Sequence, residues 1–272
     1  MRALVEALRN HWPEYLMEGA GLGLFMVSAA VVTTALEYPH SALHAAFPGP
    51  LLRRVLIGLC MGLTAIGIIY SPWGKQSGAH LNPAVTLTFY RLGKIAGADA
   101  CFYVLAQVVG GVIGLSISAA AIGMAIEHPA VNYVVTVPGR SGAAIAFLAE
   151  LCISFGLMLT VLLVSNHRTM AAFTGLIAGC LVAMYISVEA PFSGMSMNPA
   201  RTFASAAPGG VWTAFWVYLT APPMGMLAAA EVYVRVKSLK RIYCAKLHHR
   251  NAKRCIFRCN FPELINAESS TR

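Results

Sequence analysis

The sequence predicts an all-α membrane protein: six transmembrane helices plus two re-entrant half-helices, arranged as an inverted repeat. Three observations carry that prediction. Charged residues make up only 11% of the 272, and the hydrophobic types 57%. Soluble domains need about 25% charge to cover their surface, so a soluble globular chain is excluded. Six apolar stretches of bilayer-spanning length, about 20 residues, follow one another. Finally, residues 77–90 (SGAHLNPAVTLTFY) are echoed by residues 193–205 (SGMSMNPARTFAS). Each echo has Ser-Gly, three residues, Asn-Pro-Ala, and then an apolar run too short to cross a bilayer.

The elements follow in order. Residues 1–14 are polar and carry Trp12, Pro13 and Glu14, and no cleavable signal is evident. Span one, 15–36, is therefore expected to serve as an uncleaved anchor. It is rich in small residues (Gly19, Gly21, Gly23), which let helix backbones approach. Span two is expected at 52–70, followed by a turn at 71–75. The first half-helix then runs 82–90 and span three 98–122. Span four is expected at 142–164, span five at 171–188, the second half-helix at 198–207 and span six at 211–236. The remaining residues, 237–272, read as a polar basic tail. Residues 1–236 thus hold two repeats, about 15–125 and 142–236, each of three spans and one half-helix. Three spans reverse the side of the membrane, so the halves insert from opposite faces.

Charge predicts orientation and excludes a nucleic-acid footprint. Ten of the twenty Lys and Arg lie from Arg235 onward. With both termini inside, sixteen of the twenty fall on the inner side, as the positive-inside rule requires. Arg53, Arg54, Arg140 and Arg201 fall outside. Of the seven cysteines, Cys60, Cys101, Cys152 and Cys180 lie in predicted spans and read as small packing groups. The other three lie in the tail, where a reducing cytosol keeps them as thiols. A bacterial inner membrane fits the compact loops.

Each Asn-Pro-Ala should open a helix. Asn82 and Asn198 suit the N-cap, since the side-chain oxygen accepts from the first free backbone N–H groups. Pro83 and Pro199 suit the next position, where the missing N–H costs nothing. Ala84 and Ala200 continue the turn. Irregular backbone at membrane depth must line a cavity or be buried in protein. The carbonyls of Gly78, Ala79, His80 and Leu81, and of Gly194, Met195, Ser196 and Met197, are thus expected to face a lumen as two acceptor ladders. The half-helix N-termini would meet at the midplane, each with about +0.5 charge equivalent. Each Asn is expected to keep an amide N–H free there.

Two such boxes, HLNPAV and MNPAR, each behind Ser-Gly and the second followed by Arg201, resemble the aquaporin (major intrinsic protein) family over about residues 15–236. The resemblance implies a homotetramer in the lipid bilayer, one pore per subunit, passing water and small neutral solutes and excluding protons and ions. It also implies a selectivity filter of Arg201 with Ile186 from span five, Met195 from the second loop, and Met61 or Gly62 from span two. Water-selective members place Phe in span two and His in span five; glycerol-conducting members place Trp, Gly and a loop Phe. This chain has neither set. An alternating-access transporter and a glycerol-type facilitator remain as alternatives.

Glu18 and Glu150 occupy matching places in spans one and four. A proton relay is one reading; the symmetry favours acceptors that hold each half's loop. His80 reads as a loop-orienting group ahead of a pH gate. Cys244, His248, His249, Cys255 and Cys259 cluster in the tail at spacings that zinc uses. Dense Lys and Arg around them favour a solvated tail on the membrane surface, with no metal and no cofactor. No nucleophile–base set or cofactor loop suggests an enzyme, and no nucleic-acid partner is expected.

Overall fold

The computed structural model describes residues 2–266. Met1 and the last six residues of the predicted tail lie outside that range. Eight principal helices appear in chain order: α1 (Arg2–Glu37), α2 (Pro50–Tyr70), α3 (Pro83–Arg91), α4 (Gly97–Ile122), α5 (Gly142–Ser165), α6 (Thr174–Ser193), α7 (Pro199–Gly209) and α8 (Phe215–Lys237). No strand occurs among the described residues. Five of the long helices are long and apolar enough to cross a membrane. The sixth, α8, contains Pro222, Pro223 and Glu231 and falls outside that set. Its buried face (Val217, Tyr218, Ala221, Gly225, Met226, Ala229) packs against α5.

The packing has a twofold pattern. Helix α1 pairs with α4, α5 with α8, and α2 with α6 across the centre. The half-helices cross over: α3 packs on α8, and α7 on α4. The outer faces are apolar, with Leu16, Leu63, Ile117 and Val188 all more than 60% exposed, as suits lipid or neighbouring subunits. The α1–α4 pair closes on glycines, where Gly110 lies directly against the backbone of Gly19. Gly110→Ala is expected to cost about 2 kcal/mol by overpacking. It should lower the melting temperature in detergent, whereas Gly67→Ala, with nothing near its Cβ, should not.

Several boundaries differ from expectation. Helix α1 begins at Arg2, thirteen residues before the predicted span, and carries Pro13 inside it. The predicted turn after α2 is a short helix, Pro72–Ser77, ended by left-handed Gly78. Helix α6 runs on to Ser193 through Pro191. That proline leaves the Ser187 carbonyl without its helical donor. The guanidinium Nε of Arg54 supplies one instead, at 3.3 Å. The tail departs most: Ile242, Cys244, Ala245, Leu247, Phe257 and Phe261 are buried, so residues 242–261 are not a solvated segment.

Candidate functional site: two Asn-Pro-Ala loops around one cavity

Both half-helices start as the local chemistry requires. The side chain of Asn82 accepts from Ala84 N at 2.8 Å; that of Asn198 accepts from Ala200 N at 3.0 Å and Arg201 N at 3.2 Å. The loops before them repeat one backbone. Gly78, Ala79 and Leu81 have φ of 95°, 54° and 53°; Gly194, Met195 and Met197 have 79°, 54° and 54°. Left-handed backbone at non-glycine residues costs on the order of 1–3 kcal/mol each and persists only where surroundings hold it.

Glu18 and Glu150 hold it. Glu18 Oε1 accepts from Ser77 Oγ at 2.8 Å and His80 N at 3.0 Å, and Oε2 from Leu81 N at 2.7 Å and Gln107 Nε2 at 3.0 Å. Glu150 Oε1 accepts from Ser193 Oγ at 2.7 Å and Ser196 N at 2.6 Å, and Oε2 from Met197 N at 2.7 Å. Both carboxylates are fully buried. Tyr103 and Tyr218 complete the pairing: their hydroxyls donate to the carbonyls of Ser77, at 2.7 Å, and Ser193, at 2.5 Å.

The two loops are also joined to each other. Asn82 Nδ2 donates to the Met197 carbonyl, and Asn198 Nδ2 to the Leu81 carbonyl, both at 2.7 Å. One N–H of each asparagine is therefore committed across the pseudo-twofold axis, and one remains. This differs from two asparagines serving only their own helices and the lumen.

A cavity of about 370 Å³ runs between the loops. Thr33, Glu37 and Arg54 mark one end and Leu247 the other, and Asn82, Asn198 and Arg201 lie along its wall. Met61, Ile186 and Met195 line it as well. Gly62 instead faces the Gly179 carbonyl in the α2–α6 contact, so of the two span-two residues it is Met61 that meets the cavity. Ala79, His80, Leu81, Gly194, Ser196 and Met197 all contribute to the lining. Gly78 does not: its carbonyl accepts from Leu247 N of the tail at 3.1 Å. His80 is fixed on both nitrogens, Nδ1 to Thr86 Oγ1 at 3.1 Å and Nε2 to the Ala245 carbonyl at 2.9 Å. Arg201 Nη1 reaches Ser205 Oγ at 3.4 Å.

Two features escaped the sequence reading. Glu189, one residue past the expected end of span five at 188, is a buried residue of α6 whose oxygens have no hydrogen-bond partner among the described residues. The buried Glu14 accepts from Gln76 Nε2 at 2.9 Å and pairs with Arg254 of the tail at 3.5 Å. His248, also in the tail, faces Tyr70 with ring centroids 4.9 Å apart. Burial, then the Lys75 charge, lowers its pKa below the ordinary imidazole value.

The sequence profile of the family described as Major intrinsic protein matches residues 6–233. The chain belongs to that family. It is thus an integral, multi-pass membrane protein. It is 37% identical to Aquaporin NIP3-1 of Zea mays over 180 residues, covering 65% of this chain and 58% of that one. It is 36% identical to Aquaporin-4 of Mus musculus over 185 residues, covering 66% and 55%. The chain therefore spans less than two thirds of the length of these curated relatives. The X-ray structure of the aquaglyceroporin from Plasmodium falciparum superposes with a TM-score of 0.69 at 24% identity, over 82% of this chain and 96% of that one. That likeness is one of fold.

Proposed function

We propose that the chain is a passive channel for water and small neutral solutes that excludes protons and ions. The observation that carries this is a cavity lined by both Asn-Pro-Ala loops, with Asn82 and Asn198 along its wall. Pro83, Ala84, Pro199 and Ala200 start the half-helices whose N-terminal dipoles oppose cations there. The free N–H of each asparagine donates to a passing oxygen and breaks the chain of water donors. The loop carbonyls other than those of Gly78, Leu81 and Met197, which already accept from protein donors, replace bulk hydration on either side. Met61, Ile186 and Met195 face Arg201 as an apolar wall with a single strong donor. That wall favours a solute with some aliphatic surface, and glycerol is therefore the first solute to try after water. An alternating-access transporter needs a coupling-ion site; Glu18 and Glu150 are engaged by the donors of their loops, and Glu189, though without a hydrogen-bond partner among the described residues, is not among the residues that line the cavity.

The same reading takes residues 1–236 as the channel unit, with both termini cytoplasmic in a bacterial inner membrane and four copies assembling through the exposed apolar faces. The test is stopped-flow light scattering on reconstituted vesicles, first with an impermeant osmolyte and then with glycerol. Fast shrinkage followed by re-swelling in glycerol is expected. Absence of flux above bare lipid, in the full chain and with residues 247–272 deleted, would sink the proposal.

A further inference from the structure

Residues 238–266, beyond α8, belong to neither half of the repeat, yet they are folded. Residues 242–248 are buried without a break. They pass beneath the first Asn-Pro-Ala loop, where Leu247 N reaches the Gly78 carbonyl and His80 reaches the Ala245 carbonyl. Phe257 stacks on the other face of that site, its ring 5.3 Å from His80. Anchors run to every inner connection. Tyr243 N donates to Asn166 Oδ1 at 2.8 Å, Arg250 Nη2 to the Arg168 carbonyl at 3.0 Å, and Arg258 N to the Lys94 carbonyl at 3.0 Å. Arg254 pairs with Glu14 and donates to the Asn10 carbonyl.

Ordering such an irregular segment costs about 1–2 kcal/mol per residue in backbone entropy. Small units of this kind usually need a staple. Four side chains stand where one belongs. The ligand atoms of Cys244, His249, Cys255 and Cys259 all lie within 4.8 Å of one another. Cys244 Sγ is 3.6 Å from Cys255 Sγ, and Cys259 Sγ is 3.0 Å from His249 Nε2. A tetrahedral zinc with bonds of about 2.3 Å to sulfur and 2.0 Å to nitrogen separates its ligand atoms by roughly 3.5–3.8 Å. Ligand separations of at most 4.8 Å come to that range with shifts of about 1 Å or less.

The surroundings suit a metal. Phe261 N donates to Cys259 Sγ at 3.4 Å, and the His249 ring stacks on Phe261 at 4.3 Å, which fixes two ligands from behind. Lys246 Nζ ties the carbonyls of Lys253 and Arg254, at 3.2 and 2.6 Å, drawing the Cys255 segment onto the Cys244 segment. Three thiolates and a Zn²⁺ carry one net negative charge, and the thiol protons leave to solvent on binding. The basic residues that had argued for a solvated tail offset that charge. His248 stays outside the set, on Tyr70.

We infer that Cys244, His249, Cys255 and Cys259 form a tetrahedral zinc site that staples the tail across the inner end of the cavity. The site stands without the transport reading; its consequence for flux rests on that reading. The full chain, purified in detergent without chelator, should carry one zinc per chain by elemental analysis. Cobalt refilling should give the charge-transfer and d–d bands of a tetrahedral thiolate site. Cys255→Ser and His249→Gln should reduce zinc to background with elution volume and helical circular dichroism unchanged.

Wild-type protein that elutes as a folded species with background zinc, or a Cys244–Cys255 disulfide found under the same conditions, overturns the metal site. For the cap, trypsin should cut after Arg250 and Arg254 about tenfold faster once zinc is chelated, because the segment then opens locally. Equal cleavage with and without zinc overturns the stapling. Chelation should also raise the water permeability of wild-type vesicles to the level of Cys255→Ser vesicles. Equal, non-zero flux with and without zinc overturns the cap on permeation, and no flux in any sample counts against transport while the zinc content stands.

Discussion

Glu18→Gln is expected to lower the melting temperature in detergent by about 10 °C and to bring water flux down to that of bare lipid. Four donors converge on the Glu18 carboxylate: a hydroxyl, two backbone N–H groups and the Gln107 amide. A glutamine offers one accepting oxygen and turns an NH₂ toward the remaining donors. Each buried donor left unmet costs about 1–3 kcal/mol, and bonds to the charged form are the stronger ones. A loss of roughly 4 kcal/mol moves the midpoint of a chain this size by about 10 °C. Flux is lost because Glu18 is the acceptor for the His80 and Leu81 N–H groups, and the left-handed backbone at Ala79 and Leu81 shifts once they are unmet. Glu150, with three donors, should show the same effect on the second loop, somewhat smaller. A proton-relay role predicts the opposite pattern: the glutamine variant would melt like wild type and lose only a pH-dependent component of transport. Thermal unfolding and stopped-flow scattering on the same preparation separate the two.

The half-helices were legible because their signal is local. Asn at the cap, Pro in the first turn and an apolar run fix a helix start wherever the chain lies. The places of Glu18 and Glu150 were legible through the repeat. What holds the loops was not. The positive φ at Ala79, Leu81, Met195 and Met197 falls on residues that carry no turn signature, and groups distant in sequence, the Glu18 and Glu150 carboxylates foremost, hold it. The bond from each asparagine to the opposite loop joins residues more than a hundred positions apart, which no window of sequence contains. Glu189 was misplaced for a related reason. Pro191 reads as a helix stop, but Arg54, on another helix, satisfies the carbonyl that the proline frees. The tail failed on composition: its buried residues follow an irregular path, so neither helical nor strand periodicity marks them, and the dense basic residues looked like a solvated face.

Arg201→Val is expected to raise cation permeability about thirtyfold while leaving water flux at or above the wild-type level. Besides Arg54 at one end of the cavity, two fields stand against a cation. One comes from the N-termini of α3 and α7, at about half a charge each. The other is the Arg201 guanidinium, on the cavity wall with Ser205 Oγ 3.4 Å from one nitrogen. Taking an effective dielectric near 20 and a mean charge-to-cation separation of about 8 Å, removing a full charge lowers the barrier by about 2 kcal/mol, which is the thirtyfold. The half-helix term is untouched, because Asn198 caps α7 through its own Oδ1 and the backbone N–H groups of Ala200 and residue 201. The variant should therefore leak cations without becoming an open ion pore. Valine also removes a guanidinium donor from the cavity that Met61, Ile186 and Met195 line, so glycerol should gain less than its steric relief would give. Vesicle conductance for potassium and protons, read beside osmotic water flux, tests both statements. Conductance equal to wild type would mean that the half-helix dipoles alone exclude cations and that Arg201 serves the loop rather than the passing solute.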